Sequence, residues 1–244
     1  MLAFHFVMNS KIINKLIVSL DLHQLDQTLE LVQVLSPLVN YFKIGSIPFL
    51  NHGQVLLKRL HELDKKVFLD LKWHDIPNTV QGAVKAASAN STIFMMNVHC
   101  LGGEAMLKAA AEAAKRSTHQ PLLIGVTVLT SLKDVDLQTL GFSDSVPEQA
   151  LKLATLAKQS GLNGVVASAH EVAGLKKSLG RDFLVITPGI RPEWSVKNDD
   201  QKRVLTPSDA LRLGSDYLVV GRPIIANANP LEATQRILEE MDNV

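Results

Sequence analysis

Acidic and basic residues alternate within one short stretch of this sequence. One residue separates Asp70 from Lys72, and two residues separate Lys72 from Asp75. An ammonium group held near carboxylates stays charged and can donate a proton, which is the chemistry of a general acid. Asp21 ends an earlier apolar run, and Lys43 lies within another. These five side chains are candidates for one catalytic cluster.

The spacing of Asp70 and Lys72 predicts that they share a face of a strand. Side chains alternate along a strand, so Leu69 and Leu71 are expected to point the other way. An isolated Asp-x-Lys pair is more often a solvated surface ion pair. The apolar residues 67–69 that precede it, together with the other charges at strand ends, favour a functional cluster instead.

Two later segments combine glycine with arginine. Residues 187–191 read TPGIR and residues 220–223 read VGRP. Glycine lets a backbone N–H group approach an anion closely, and a guanidinium group offers two parallel donors. Either segment alone is compatible with a turn and a surface arginine. Together they predict a phosphate site that includes Arg191, Gly221 and Arg222.

Short apolar runs alternate with stretches of helical spacing from end to end, which is typical of repeated βα units. The helical stretches include Leu29, Leu31, Val32 and Leu35, and later Ala109, Ala110, Ala113 and Ala114. The eight predicted strands are residues 15–21, 41–45, 66–72, 92–99, 122–130, 164–168, 183–189 and 217–221.

Eight such units predict a single (β/α)8 TIM barrel, a fold of roughly 250 residues with its active site at the carboxyl ends of the strands. The chain has 244 residues. An open, doubly wound sheet is the structural alternative. Its best-known ligand signal is absent, because the first strand leads into Ser19-Leu20-Asp21 rather than a glycine-rich dinucleotide fingerprint.

The domain prediction is one barrel over residues 1–244, with an N-terminal extension at 1–14. Residues 190–206 form a long irregular stretch that we interpret as an active-site lid loop, because long loops in compact domains are often lids or binding loops. Residues 1–8 are apolar, but they lack a basic segment and are too short for a signal peptide. A cytoplasmic location is therefore expected.

Composition excludes several classes of function. Twenty-five Lys and Arg balance 24 Asp and Glu, so no overall field attracts nucleic acid or membranes. Any anion must be bound locally. The single cysteine, Cys100, cannot form an intrachain disulfide and is expected to be a half-buried thiol at a strand end.

Residues 70–79, DLKWHDIPNT, resemble the signature of the orotidine 5′-phosphate decarboxylase family. The resemblance covers nearly the whole chain. Residues 19–21, 42–45, 128–131, 187–191 and 219–224 are similar to further family motifs in the same order. The combination is specific, whereas Asp-x-Lys-x-x-Asp alone also occurs in related phosphosugar decarboxylases and synthases.

The resemblance implies a reaction and a set of roles. The reaction is decarboxylation of orotidine 5′-phosphate to uridine 5′-phosphate, the last step of de novo UMP synthesis, without a cofactor or metal. Lys72 would be the proton donor at C6, within a charge network of Lys43, Asp70, Lys72 and Asp75. The family is homodimeric, and Asp75 and Thr79 would serve the partner subunit's site.

The remaining implied contacts are with the substrate. Asp21 and Lys43 would hold the ribose, and Thr130 and Ser131 the pyrimidine. Arg222, the Gly221 backbone, Arg191 and the lid residue Gln201 would bind the phosphate. Ile76, Asn78 and Pro188 complete the implied substrate-binding set.

Two other functions compete with this one. A metal-dependent phosphosugar decarboxylase or synthase on the same barrel would share Asp70, Lys72 and Asp75, and its need for magnesium would distinguish it. A nucleotide-binding module without chemistry could keep the phosphate site. The intact Lys72 disfavours the module, and the continuation through residues 76–79 disfavours the metal enzyme.

Overall fold

Eight parallel strands close into a barrel in the order in which they occur along the chain. The computed structural model describes residues 10–198 and 205–244. The strands are β1 (Leu16–Ser19), β2 (Tyr41–Gly45), β3 (Lys66–Trp73), β4 (Ile93–His99), β5 (Leu122–Val126), β6 (Gly164–Val166), β7 (Leu184–Pro188) and β8 (Tyr217–Val220). β1 pairs with both β2 and β8, which closes the ring. The predicted TIM barrel is confirmed.

Helices follow every strand and form the outer layer. They are α1 (Ser10–Ile13), α2 (Leu25–Leu35), α3 (Ser46–Glu62), α4 (Pro77–Ser88), α5 (Gly103–Arg116), α6 (Asp134–Thr139), α7 (Val146–Gln159), α8 (Val172–Leu179), α9 (Pro207–Arg212), α10 (Arg222–Ile225) and α11 (Pro230–Asp242). Two short 3₁₀ helices, Cys100–Gly102 and Glu193–Asn198, lie in connecting segments. Within the described residues, no helix has the length and apolar character needed to cross a membrane.

Helical periodicity explains why these segments lie against the strands. In α2, the side chains of Leu31, Val32 and Leu35 are buried, and they recur on one face of the helix. In α5, Ala110 and Ala113 are buried on the equivalent face. Small alanine side chains allow the helix to approach the sheet closely.

The apolar core has two parts, as a closed barrel requires. The larger part lies between the outer faces of the strands and the helices. The smaller part fills the barrel and consists of Ile17, Phe68, Met95, Ile124, Ile186 and Val219, with partly buried neighbours. Because these interior side chains pack the barrel closed, ligands can enter only at its ends.

Several strand ends differ from the predictions. β1 ends at Ser19 rather than at residue 21, and β5 ends at Val126 rather than at residue 130. The N–H and Oγ1 of Thr127 still donate to the carbonyl of Val166 on β6, but residues 127–130 lie outside the strand. The prediction for Cys100 was also wrong, because its side chain is fully buried in the 3₁₀ helix after β4.

The two predicted irregular segments are only partly described. The extension includes α1, and Ile12 and Ile13 of that helix pack against the outer core. The segment predicted to be a lid begins with buried Ile190 and Arg191 and continues into the 3₁₀ helix Glu193–Asn198. Residues 1–9 and 199–204 lie outside the described part of the chain.

Candidate active site

A cluster of four charged side chains lies at the carboxyl ends of β1, β2 and β3. The Nζ atom of Lys43 is 3.3 Å from Asp21 Oδ1 and 3.1 Å from Asp70 Oδ2. The Nζ atom of Lys72 is 2.6 Å from Asp70 Oδ1. The cluster therefore alternates in charge, and Asp70 is held between two ammonium groups.

Asp70 and Lys43 are the least exposed members of the cluster. Burial by itself would raise the pKa of the Asp70 carboxyl, but the charges of Lys43 and Lys72 and hydrogen bonds from Lys72 and Asn97 hold that pKa below its ordinary value. Asp70 is therefore ionised at neutral pH. The Lys72 side chain is more open, with 40% of its surface exposed against 12% for Asp70.

The backbone at Lys72 departs from regular strand geometry. Its φ angle is +49°, in the left-handed region that residues with a Cβ seldom adopt. The pairing of β3 with β4 shifts register between Leu69 and Trp73. The alternation of side chains along a strand therefore predicted correctly that Lys72 lies on the same face as Asp70. The backbone between Leu69 and Trp73 is nevertheless irregular.

Asp21 lies beyond β1 and is half exposed. Ser19 Oγ donates to Asp21 Oδ2 at 2.7 Å, while Lys43 contacts the other carboxylate oxygen. Gly45, at the end of β2, leaves room for this pair. A Cβ there would lie 3.1 Å from Asp21 Oδ1 and 3.2 Å from Lys43 Nζ.

The cluster forms one wall of a cavity of about 310 Å³ at the mouth of the barrel. Its floor is apolar and includes Phe68, Ile186 and Val219 from the barrel interior. Thr130 lines it after β5. A larger cavity, about 650 Å³, lies outside the barrel between α3 and α4, but it contains none of the clustered charges. We therefore assign the site to the mouth.

The ends of β7 and β8 supply the cationic part of the same cavity. Pro188, Arg191, Gly221 and Arg222 all line it. Arg191 is buried, whereas Arg222 is exposed and begins α10. Two guanidinium groups and a glycine at the start of a helix thus lie in one cavity with the Asp70–Lys72 pair.

Other predicted residues lie outside this cavity. Asp75 is exposed, and its Oδ1 accepts a hydrogen bond from the N–H of Ile76 at 2.6 Å. Ile76, Asn78 and Thr79 are also exposed, around the start of α4. Ser131 is exposed and does not line the cavity. Gln201 lies outside the described residues.

Comparisons with known proteins place the chain in a family. Residues 14–237 match the model of the orotidine 5′-phosphate decarboxylase / HUMPS family. The chain belongs to this family. An orotidine 5′-phosphate decarboxylase of Saccharophagus degradans is 50% identical over 227 residues, covering 93% of this chain and 94% of that relative.

Two further members of the family agree with this assignment. An orotidine 5′-phosphate decarboxylase of Carboxydothermus hydrogenoformans is 47% identical, covering 94% of this chain and 97% of that relative. The crystal structure of orotidine 5′-phosphate decarboxylase from Lactobacillus acidophilus has a TM-score of 0.78 and 38% identity. It matches 93% of this chain and 98% of that chain.

Sequence reasoning missed two polar contacts of the site. Asn97 on β4 contacts both Lys72 and Asp70, and Ser19 contacts Asp21. A signal for Asn97 was present, because it is the one amide in the apolar run of residues 92–99. Among the residues that the structure describes, no group of three or more His, Cys, Asp or Glu side chains is arranged to hold a metal ion.

Proposed function

We propose that this protein decarboxylates orotidine 5′-phosphate to uridine 5′-phosphate, the last step of de novo UMP synthesis, without a metal or cofactor. The observation that carries the proposal is the Lys72 ammonium, 2.6 Å from an ionised Asp70 in a cavity that also contains Arg191 and Arg222. Family membership supports the same reaction.

The chemistry requires a cation at C6 of the pyrimidine. When the bond from C6 to the carboxylate breaks, CO₂ leaves and its electron pair stays on C6, where no adjacent group can accept it. The Lys72 ammonium stabilises the developing negative charge and then transfers a proton to C6. The neutral amine regains a proton from solvent, so the enzyme is unchanged.

The neighbouring charges prepare Lys72 for this step. One oxygen of Asp70 contacts the Lys72 ammonium, and its second oxygen is bound by Lys43. Asp70 would also lie beside the substrate carboxylate, where like-charge repulsion would be relieved as CO₂ leaves.

Asp75 would complete the network from a second subunit. Its exposure outside the cavity leaves the Asp75 side chain accessible to a second chain, which supports this assignment. Ile76 beside it is 65% exposed, and an apolar side chain that protrudes in this way suits an interface. We therefore propose a homodimer with shared sites, to which Asn78 and Thr79 also contribute.

The rest of the substrate would be bound across the cavity. Asp21 and Lys43 would hold the ribose hydroxyls, and Thr130 and Ser131 the pyrimidine edge. Arg222, Arg191, the Gly221 N–H and Gln201 would bind the phosphate, with Pro188 shaping that end. Phosphate binding far from C6 can drive lid closure, so remote contacts would raise the rate of the chemical step.

The direct test is to mix the purified protein with orotidine 5′-phosphate in the presence of EDTA and to follow the absorbance change as uridine 5′-phosphate forms. We expect turnover that added magnesium does not alter. A folded protein that shows no turnover contradicts the proposal. Turnover only after magnesium is restored indicates the chemistry of a metal-dependent relative instead.

A further inference from the structure

Asn97 is a fully buried polar residue on β4, directly beside the charged end of β3. Its Oδ1 accepts a hydrogen bond from the backbone N–H of Lys72 at 2.8 Å. Its Nδ2 donates to Asp70 Oδ1 at 2.7 Å. One side chain therefore contacts the backbone of the lysine and the carboxylate that pairs with it.

The two contacts fix the orientation of the amide. A backbone N–H can only donate and an ionised carboxylate can only accept, so the oxygen must face Lys72 and the nitrogen must face Asp70. A flipped amide would lose both hydrogen bonds inside the protein, where unpaired polar groups are costly. Asn97 thus has one orientation, and the residues it contacts are held relative to it.

The contact with Lys72 bears on the strained part of β3. With φ at +49°, the N–H of Lys72 no longer continues the regular ladder, and the pairing with β4 shifts register at this point. The side chain of Asn97 supplies an acceptor for this N–H in place of a backbone carbonyl of β4. Strained backbone persists only where its surroundings hold it, and it is often found at functional sites.

The contact with Asp70 orders the ion-pair network. Oδ1 of Asp70 receives both Asn97 Nδ2 and Lys72 Nζ, while Oδ2 faces Lys43. Three donors from three neighbouring strands thus determine the plane of one carboxylate. That plane in turn determines where the Lys72 ammonium lies in the cavity.

We propose that Asn97 is a positioning residue for decarboxylation, which holds the Lys72 backbone and the Asp70 carboxylate in the arrangement that presents the ammonium to C6. This inference rests on the proposed function. Asn97 does not line the cavity, so it acts through its two neighbours rather than on the substrate.

The main test compares Asn97→Ala with the parent protein. A small displacement of a reacting group can cost about 100-fold in rate, so we expect kcat to fall by about that factor. Affinity for uridine 5′-phosphate should stay near the parent value, because the phosphate and ribose contacts are intact. The matched control is Asn163→Ala, which removes a similar bond, from the N–H of Leu123 to Asn163 Oδ1, at the opposite end of the barrel.

A second variant covers the case in which Asn97→Ala does not fold. Asn97→Asp is nearly isosteric, keeps the acceptor for Lys72 and replaces the donor to Asp70 with a carboxylate. The charged groups that face Asp70 are Lys43 from β2 and Lys72 from β3, and His99 on β4 lies near Lys72. A new negative charge beside Asp70 disfavours its ionised form, so the acidic limb of kcat/KM should move to higher pH.

These measurements separate the inference from the proposed function. If the parent protein turns over substrate and both Asn97 variants keep its kcat and pH profile, the positioning role is wrong. The same conclusion follows if Asn163→Ala loses kcat to the same extent. If the parent shows no turnover, the proposed function fails, but crystal structures of the variants still test the geometry. A Lys72 backbone and Asp70 carboxylate that do not move would overturn the inference.

Discussion

The two charged residues of β3, Asp70 and Lys72, differ in exposure and therefore in what each can do. Asp70 is buried and bound by donors from β2, β3 and β4, whereas Lys72 is substantially exposed in the cavity. A carboxylate held in this way can be a fixed negative charge, and the lysine beside it can approach a ligand. The expected consequences of single substitutions follow from that difference.

Lys72→Ala should reduce decarboxylation by several orders of magnitude while leaving binding of uridine 5′-phosphate measurable. The lysine acts at C6, and the product carries no charge there for it to neutralise. Activity is measured by absorbance and product binding by calorimetry. The matched control is Lys66→Ala, which removes an exposed lysine from the opposite end of the same strand. Substantial turnover by Lys72→Ala would exclude its role as proton donor.

Arg222→Ala should mainly raise the KM for phosphorylated substrate. Added guanidinium should restore part of the activity, because it can occupy the vacated cationic position and bind phosphate through the same donors. Arg212→Ala is the control, since that arginine lies on α9 and does not line the cavity. Parental kinetics for Arg222→Ala, or equal rescue of both variants by guanidinium, would show that the phosphate site lies elsewhere.

The residues of the site differed in how far the sequence could predict them. Asp21, Lys43, Asp70 and Lys72 were predicted to cluster because charges in apolar strands have few places to lie other than the barrel mouth, and the structure brings them together. The role of Asn97 was not predicted. Its contacts depend on the left-handed backbone at Lys72, which no local pattern in β3 reveals.

At the scale of elements, every strand was predictable; the ends of β2 and β4 were predicted correctly, but those of strands such as β1 and β5 were not. An apolar run such as residues 122–126 identifies β5 from local composition alone. The last hydrogen bonds from β5 to β6 are those from Thr127 to Val166, which is 39 residues away in the chain. Interactions of that kind are set by the closed barrel, so they become visible only in the folded molecule.

The connection from β6 to α8 contains a buried acid, Glu171. Glu171 accepts a hydrogen bond from the N–H of Ser168, but burial dominates and raises the pKa of its carboxyl from 4.5 to about 7. The folded state therefore holds a proton that the unfolded chain has lost between these two values. Stability from this group is complete below pH 4.5 and declines as the pH rises towards 7.

Glu171→Gln should remove that decline, because glutamine cannot ionise and its amide oxygen can still accept the Ser168 hydrogen bond. This change in the pKa of Glu171 corresponds to at most about 3.5 kcal/mol of folding free energy. The variant should therefore gain stability over the parent at pH 8 and show little gain at pH 4.5. Urea unfolding across this range measures the difference. Glu30→Gln, an exposed site on α2, is the control, and parallel curves for Glu171→Gln and parent would contradict the assigned burial effect.

At the scale of the whole molecule, closure of the barrel brings separate parts of the chain to one cavity. Asp21 follows the first strand and Arg222 follows the last. Pairing of β1 with β8 nevertheless places both at the mouth. The loop after β3 is different. Asp75 and Ile76 are exposed beside the cavity rather than within it, so their proposed role requires a second copy of the chain.

Subunit exchange tests that requirement. Lys72→Ala and Asp75→Asn proteins, each expected to be inactive, are mixed under conditions in which labelled subunits demonstrably exchange. If Asp75 serves the partner, each mixed dimer has one site with both lesions and one with intact Lys72 and Asp75. Random pairing of equal amounts makes half of the dimers mixed, so about a quarter of the wild-type activity should return.

A mixture of Lys72→Ala with Asp70→Asn provides the matched control. Asp70 and Lys72 contact each other within one chain, so every site in that mixed dimer keeps one lesion and no activity should return. If Asp75 acts within its own chain, the Asp75→Asn mixture must behave in the same way as this control. Restored activity in the Asp75 mixture alone therefore requires both a dimer and a site that two chains share. If neither mixture regains activity after exchange has been demonstrated, the shared site is ruled out.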